Sequence, residues 1–181
     1  IFTGKTTIAY EGLQADRQVT LNNSDYNAIV DAHPEKVQYS TPRYSTNLNV
    51  KYGKESGFYQ ISGANDEEVK IENRQLLNGR FISPKDIDEK QNVAVIGRMV
   101  QRDLIKNGDP VGKELEINGS VFKVIGVFSD DGGDWDERMI SIPISTLQQM
   151  KKGSDTVSTV YIAYDEKLNP EQAIAYSDQL K

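Results

Sequence analysis

Few residues in this chain have a type and spacing that could do chemistry. Gly4-Lys5-Thr6 matches the close of a phosphate-binding loop. Such a loop needs an earlier glycine after a strand, and a following helix whose N-terminal amides converge on the phosphate. The residues that follow here are β-prone, so the triplet is not read as a nucleotide site. His33 is the single histidine. A Ser-His-Asp triad would need it as base and a zinc site would need it as ligand. It stands beside Pro34 at the end of a helical pattern, where an imidazole meets free helix carbonyls. Asp130, Asp131, Asp134, Asp136 and Glu137 are the densest acidic group, and calcium favours oxygen-rich loops. Their spacing departs from an EF-hand, because Gly132 and Gly133 fall too early in the run, and a solvated loop is the simpler reading. No carboxylate pair lies in an apolar run that would raise one pKa for acid catalysis, and there is no GxSxG elbow. No catalytic, cofactor-binding or metal-binding residue is assigned, and no enzyme activity or cofactor is expected.

Trp135 is the odd residue in that acidic loop. An aromatic flanked by aspartates and glycines is either tucked back onto the domain or held out as an anchor for a partner. Trp135, with the hairpin residues Phe58 and Tyr59, forms the candidate partner-binding set.

The elements that must position these residues can be read from periodicity. Lys5 to Glu11 is β-branched and aromatic and predicts a strand. Asn22-Asn23-Ser24 offers N-caps for a helix over Asp25 to Ala32, with Tyr26, Ile29 and Val30 on one face. Val37 to Tyr44 and Leu48 to Ser62 predict strands, with Gly53 to Gly57 as a hairpin loop. Phe58 and Gln60 fall on one face, Tyr59 and Ile61 on the other. Glu72 to Leu77 predicts a short helix closed by Asn78-Gly79. Ser83-Pro84 predicts a capped turn, Val93 to Ile96 a buried strand, and Arg98 to Lys106 a helix. Asn118-Gly119 is the strongest hairpin signal in the chain. Met139 to Ile144 and Val157 to Tyr164 predict strands, with Ser145 to Met150 helical between them. Pro170 suits the first turn of a last helix carrying Ala173, Ile174 and Leu180.

This order predicts a mixed α/β, α+β fold in which one unit interrupts another. Residues 1–64 and 138–181 form the outer subdomain and residues 65–137 the inserted one, each with a small core of its own. The 181 residues suffice for one large domain or two small ones.

Composition limits the partners. The chain has 37% hydrophobic and 27% charged residues, a globular balance, and its apolar runs are strand-sized. A net charge of -6 with the basic residues interleaved among acids argues against nucleic acid. The acidic surface is equally unsuited to anionic lipid. The absence of cysteine removes disulfides, thiol catalysis and cysteine-based zinc sites. The chain opens at Ile1-Phe2 with no signal-peptide pattern and stops at Leu180-Lys181 within a helical pattern. Both ends are expected to continue into a longer protein, between two membrane spans, with Ile1 and Lys181 on the same side.

One ordered set of motifs says more. Asn78-Gly79-Arg80-Phe81 is followed by VAVIG (93–97), DPVGK (109–113) and FKVIGVF (122–128). In this order and with these gaps they resemble the MacB-like periplasmic core domain, the extracytoplasmic part of MacB/FtsX/LolC-type ABC-transporter permeases. The resemblance covers most of the chain and is strongest over 78–128. It implies a porter-like subdomain interrupted by a Sabre-like one, a cell-membrane location facing the periplasm or cell exterior, and no catalytic residues. It further implies a non-catalytic relay of ATP-driven motion to partners or substrate, in export or lipoprotein release. The implied partners are a cytoplasmic ATPase reached through membrane helices, a periplasmic adaptor, and a second copy in a dimer. The alternative is an extracytoplasmic module that captures a peptide, lipid or glycan.

Overall fold

The computed structural model describes residues 1, 4, 14–32, 34–164, 171 and 174–176. In chain order the elements are β1 (Leu21–Asn22), α1 (Asn23–Ala32), β2 (Val37–Tyr52), β3 (Glu55–Ala64), α2 (Glu68–Ile71), β4 (Gln75–Gly79) and α3 (Pro84–Asp88). There follow β5 (Val93–Gly97), α4 (Arg98–Val100) continued by a π-helical turn at Gln101–Ile105, β6 (Glu114–Ile117) and β7 (Ser120–Ser129). The last are β8 (Met139–Pro143), α5 (Ile144–Met150), β9 (Thr156–Val157) and β10 (Thr159–Tyr164). Glu171 and Ile174–Tyr176 are also helical. The predicted strand at Lys5 to Glu11, together with His33, Pro170, Ala173, Leu180 and Lys181, lies outside the described residues, as does the expectation about the two ends.

Strand β2 organises the sheet. Its 16 residues run without a break where two strands were predicted. The first half, Val37 to Arg43, pairs with β10, and the second half, Tyr44 to Tyr52, pairs with β3. Among the described residues, the part of β2 that holds Pro42 has a neighbouring strand on one side only, where a missing N–H is tolerated. Gly53 at φ +58° closes a two-residue turn, so Tyr52 faces Glu55 directly and the loop is shorter than predicted.

Six strands then close on themselves. β3 pairs in parallel with β8, β8 with β5, β5 in parallel with β7, β7 with β6, and β6 returns to β2 at Val50 and Ile117. Inside this ring Val50, Ile61, Ile96, Ile117, Phe122 and Ile142 are completely buried. Each such side chain contributes roughly 1.5–3 kcal/mol by leaving water. Ile82, Val93, Val95, Ile125, Phe128 and Met139 form a second cluster. β5 serves both: Ala94 and Ile96 point into the ring, Val93 and Val95 into the second cluster. A strand buried on both faces reads as an unbroken apolar run, which is what VAVIG is.

One eight-stranded sheet runs through both 1–64 and 65–137, and the larger core cluster takes residues from both segments. The edge of β8 is satisfied across the chain-order boundary by β5, and part of the edge of β2 by β6. The predicted helix at Glu72 to Leu77 is instead the end of a turn and the strand β4, with α2 placed earlier. β4 forms because it satisfies the edge of β7, pairing Gln75 with Ser129 and Gly79 with Gly126. Tertiary pairing outweighs a weak local preference here. The predicted helix Arg98 to Lys106 is also modified: after one α-turn it widens to π geometry and ends at Lys106, φ +50°.

Candidate functional site

The candidate residues meet at one cleft of about 710 Å³, open to solvent. Its floor comes from β2 and β3. Asn47 faces Gln60 in the hairpin register, which puts Ser45, Asn47, Phe58 and Gln60 on one face, while Thr46 and Tyr59, on the alternate face, also border the cleft. Its wall comes from the loop before β8. Gln60 pairs in parallel with Met139, which sets Arg138 beside β3. A 3-10 turn over Asp136–Arg138 then lifts Trp135 to the rim. Trp135 is 80% exposed and Phe58 78%, the two most exposed large hydrophobic side chains among the described residues. Tyr59 differs. It alternates to the inner face and is 7% exposed, so its ring anchors the floor rather than projecting from it. Burial, reinforced by the Asp103 carboxylate, pushes the Tyr59 hydroxyl above its usual pKa, with Arg138 opposing.

The wall is pinned at its base. Glu137 is 1% exposed and accepts hydrogen bonds from Arg98 Nε at 2.9 Å and from the Asp130 amide at 3.2 Å. Gly97 is required beneath it, since a Cβ there would fall on the Glu137 carbonyl oxygen. Asp130 accepts from Gly132 N at 2.9 Å and faces Arg74 Nε at 3.4 Å. Two of the five loop carboxylates are thus tied to basic side chains, while Asp131, Asp134 and Asp136 stay exposed. Among the described residues no group of three or more His, Asp or Glu side chains is gathered as a metal site. Arg138 donates to Asp103 at 2.7 Å, which ties the wall to the π-helical turn, a geometry frequent at functional sites. Neither Arg138 nor Asp103 stood out in the sequence, because nothing local marks a charge whose partner lies 35 residues away.

A second polar cluster was also invisible in sequence. Glu68 is 4% exposed and lies between Arg74 Nη1 and Arg43 Nη2, each at 2.8 Å. Ser62 and Ser141 donate to the same carboxylate at 3.2 Å. Arg43 also meets Glu72 and stacks on Tyr161, and Arg74 stacks on Phe128. Four separate stretches of chain are needed to assemble this cluster. The space left beside it is about 20 Å³, room for roughly one water.

The ordered motifs also come together in space. A Cβ at Gly79, φ +76°, would fall on the Ile125 carbonyl, and one at Gly126 on the Arg80 carbonyl. Asn78 donates to Asp109 at 2.8 Å. Gly112, φ +89°, closes the Pro110–Lys113 turn and donates to Val124 O at 2.8 Å. Arg80 grips Asp86, itself 5% exposed, with Nη1–Oδ2 at 2.6 Å, and Ser83 caps α3 by accepting from the Asp86 amide while its own amide donates to the same carboxylate. These residues determine the fold around β7 and present no reactive group.

The profile of the MacB-like periplasmic core domain matches residues 2–180. The chain belongs to the MacB-like periplasmic core domain family. It is similar to the pyoverdine export ATP-binding/permease protein PvdT of Pseudomonas aeruginosa, at 30% identity over 162 residues, covering 87% of this chain and 24% of PvdT. It is also similar to the macrolide export ATP-binding/permease protein MacB of Chlorobium luteolum, at 33% identity over 88 residues, or 46% of this chain and 13% of that protein. The chain therefore spans a quarter or less of these curated relatives. In fold it matches the periplasmic region of MacB from Actinobacillus actinomycetemcomitans with a TM-score of 0.82 at 22% identity, covering 99% of this chain and 80% of that one. The extracellular domain of the transporter YknZ from Gram-positive bacteria matches with a TM-score of 0.74 at 16% identity, over 87% and 78%. The family resemblance and the mixed α+β class read from sequence are both borne out. As a family member this is an extracytoplasmic domain of an ABC-transporter permease, a non-catalytic kind of fold. Among the described residues no helix is long and apolar enough to cross a membrane.

Proposed function

We propose that this domain works through protein contacts, relaying ATP-driven motion from the membrane part of its transporter to a partner outside the membrane, in export or lipoprotein release. On this reading a cytoplasmic ATPase drives the cycle through the membrane helices, the transporter is a dimer, and a periplasmic adaptor is the partner. Residues 65–137 act in it as an insertion in the outer unit of 1–64 and 138–181. The observation that carries the reading is the convergence of Trp135 and Phe58 on one cleft. Exposed aromatics cost solvation and are the commonest anchors of interfaces. The capture of an apolar ligand would call for a roomy apolar cavity. The space under α2 holds about 20 Å³ and the clefts of about 710 and 760 Å³ are open and partly polar, which favours contact over capture.

The test is transport by the intact transporter carrying Trp135→Ala and Phe58→Ala, singly and together. Loss of transport with expression and ATP hydrolysis retained supports the contact surface. Undiminished transport by the double variant would sink it.

A further inference from the structure

The charges around the cleft indicate what kind of partner it fits. Trp135 stands between Asp134 and Asp136, with Asp131 in the same loop, and all three carboxylates are exposed with no ion pair among the described residues. Arg138, which lines the cleft, shares the single carboxylate of Asp103 with Arg102, and Arg98 below the loop is paired with Glu137. Lys106 is paired with Glu55 at 2.7 Å. Acid therefore exceeds base in the loop that carries Trp135, the most exposed large hydrophobic side chain in the described structure. An aromatic face inside an acidic rim attracts a cation twice, through the ring quadrupole and through Coulomb attraction. The floor adds the carboxamides of Asn47 and Gln60, which can accept from and donate to a peptide backbone.

We propose that this cleft docks a cationic segment of a partner protein, with Lys or Arg side chains over Trp135 and Phe58 and the segment's backbone along Asn47 and Gln60. This rests on the contact reading above and adds the chemistry of the partner. Anionic lipid headgroups and nucleic acid would meet the same carboxylates unfavourably. A neutral glycan could stack on the aromatics but would gain nothing from the acidic rim.

Trp135 is the only tryptophan in the chain, so its emission reports on this site alone. The 181-residue chain is titrated with short synthetic peptides alternating lysine and leucine, glutamate and leucine, or serine and leucine, and with an N-acetylglucosamine oligomer. The lysine peptide is expected to shift the emission saturably. The half-saturation concentration should rise about tenfold or more in high salt, and again in the triple variant D131N/D134N/D136N. Phe58→Ala should weaken the same response. Equal affinity for the serine or glutamate peptide, a response to the glycan alone, or indifference to the triple substitution would overturn the proposal. The intact transporter separates this inference from the one it rests on. If Trp135→Ala abolishes transport while the triple variant transports normally and binds the lysine peptide as before, the contact surface stands and the cationic partner falls.

Discussion

Removing the Glu68 carboxylate should be among the most damaging single changes in the domain. The side chain is 6% exposed and is held by two guanidinium groups at 2.8 Å and two serine hydroxyls at 3.2 Å. Glu68→Ala leaves Arg74, whose side chain is 4% exposed, and Arg43, at 13%, with less than their full complement of negative charge. Breaking a buried pair in this way costs about 3–5 kcal/mol, because the surviving charge stays desolvated. Glu72 still faces Arg43 and Asp130 still faces Arg74, which places the expectation at the lower end, about 3 kcal/mol. Total stability of a natural domain is about 5–15 kcal/mol, so the loss is large. For a chain of this size it corresponds to a fall in Tm of roughly 6–12 °C. Urea unfolding followed by far-ultraviolet circular dichroism measures it, with Glu116→Ala as control. Glu116 pairs with Lys51 on the surface and should cost less than about 1 kcal/mol. A Glu68→Ala loss below about 1 kcal/mol would refute the argument. It would mean that the cluster is hydrated in solution, and that α2, β2, β3 and β8 are not locked together by charge.

Other consequences can be checked in the same way. Gly79→Ala should cost more than about 2 kcal/mol, since it combines positive φ with a Cβ placed on the Ile125 carbonyl. Gly119→Ala, at φ +86° with open space around it, should cost clearly less, and equal losses would show that the close approach is unimportant. Trp135→Ala should change unfolding free energy by no more than about 0.5 kcal/mol, because the ring is 80% exposed; a larger loss would make it a structural residue. The Arg80 hydrogen bond, with help from Ser83, holds the Asp86 carboxyl well below the usual carboxylate range. A depressed folded pKa stabilises above the unfolded value of about 4, and the gain is lost as pH falls through the folded one. Arg80→Ala should therefore cost about 1 kcal/mol near pH 7, discounted because half of Arg80 is exposed, and progressively less on acidification. An equal cost at both ends of that range would contradict the assignment.

The local elements were legible where short-range chemistry decides them. Asn118 and Gly119, at φ +48° and +86°, make the turn between β6 and β7 that their sequence announces. Ser83 and Asp86 form the reciprocal cap before α3, and Pro84 takes the first helical position. The alternation at Phe58, Tyr59, Gln60 and Ile61 is observed, and it explains why Tyr59 is buried while Phe58 is exposed. Elements with weak local preference were misread. Gln75 to Leu77 followed by Asn-Gly fits a helix end as well as a strand, and β7 decided between them by offering its edge. The π-helical widening at Gln101–Ile105 leaves no mark in a short apolar pattern, since Leu104 and Ile105 are both buried.

The sequence by itself determined the family, the strand content, and the motifs whose glycines and turns admit no other backbone. It also determined that Trp135 is an aromatic among acids. Tertiary structure alone decided that the two chain segments share one sheet, since ring closure depends on β6 reaching β2 and β5 reaching β8. It alone placed Arg43, Glu68, Arg74 and Ser141 in one buried cluster, and Trp135, Phe58 and Arg138 at one cleft. The reason is range. Caps, turns and alternation act over a few residues and leave a local pattern, whereas strand pairing and buried ion pairs join residues far apart in the chain. Such contacts impose no spacing on the sequence and become visible only when the backbone has brought their members together.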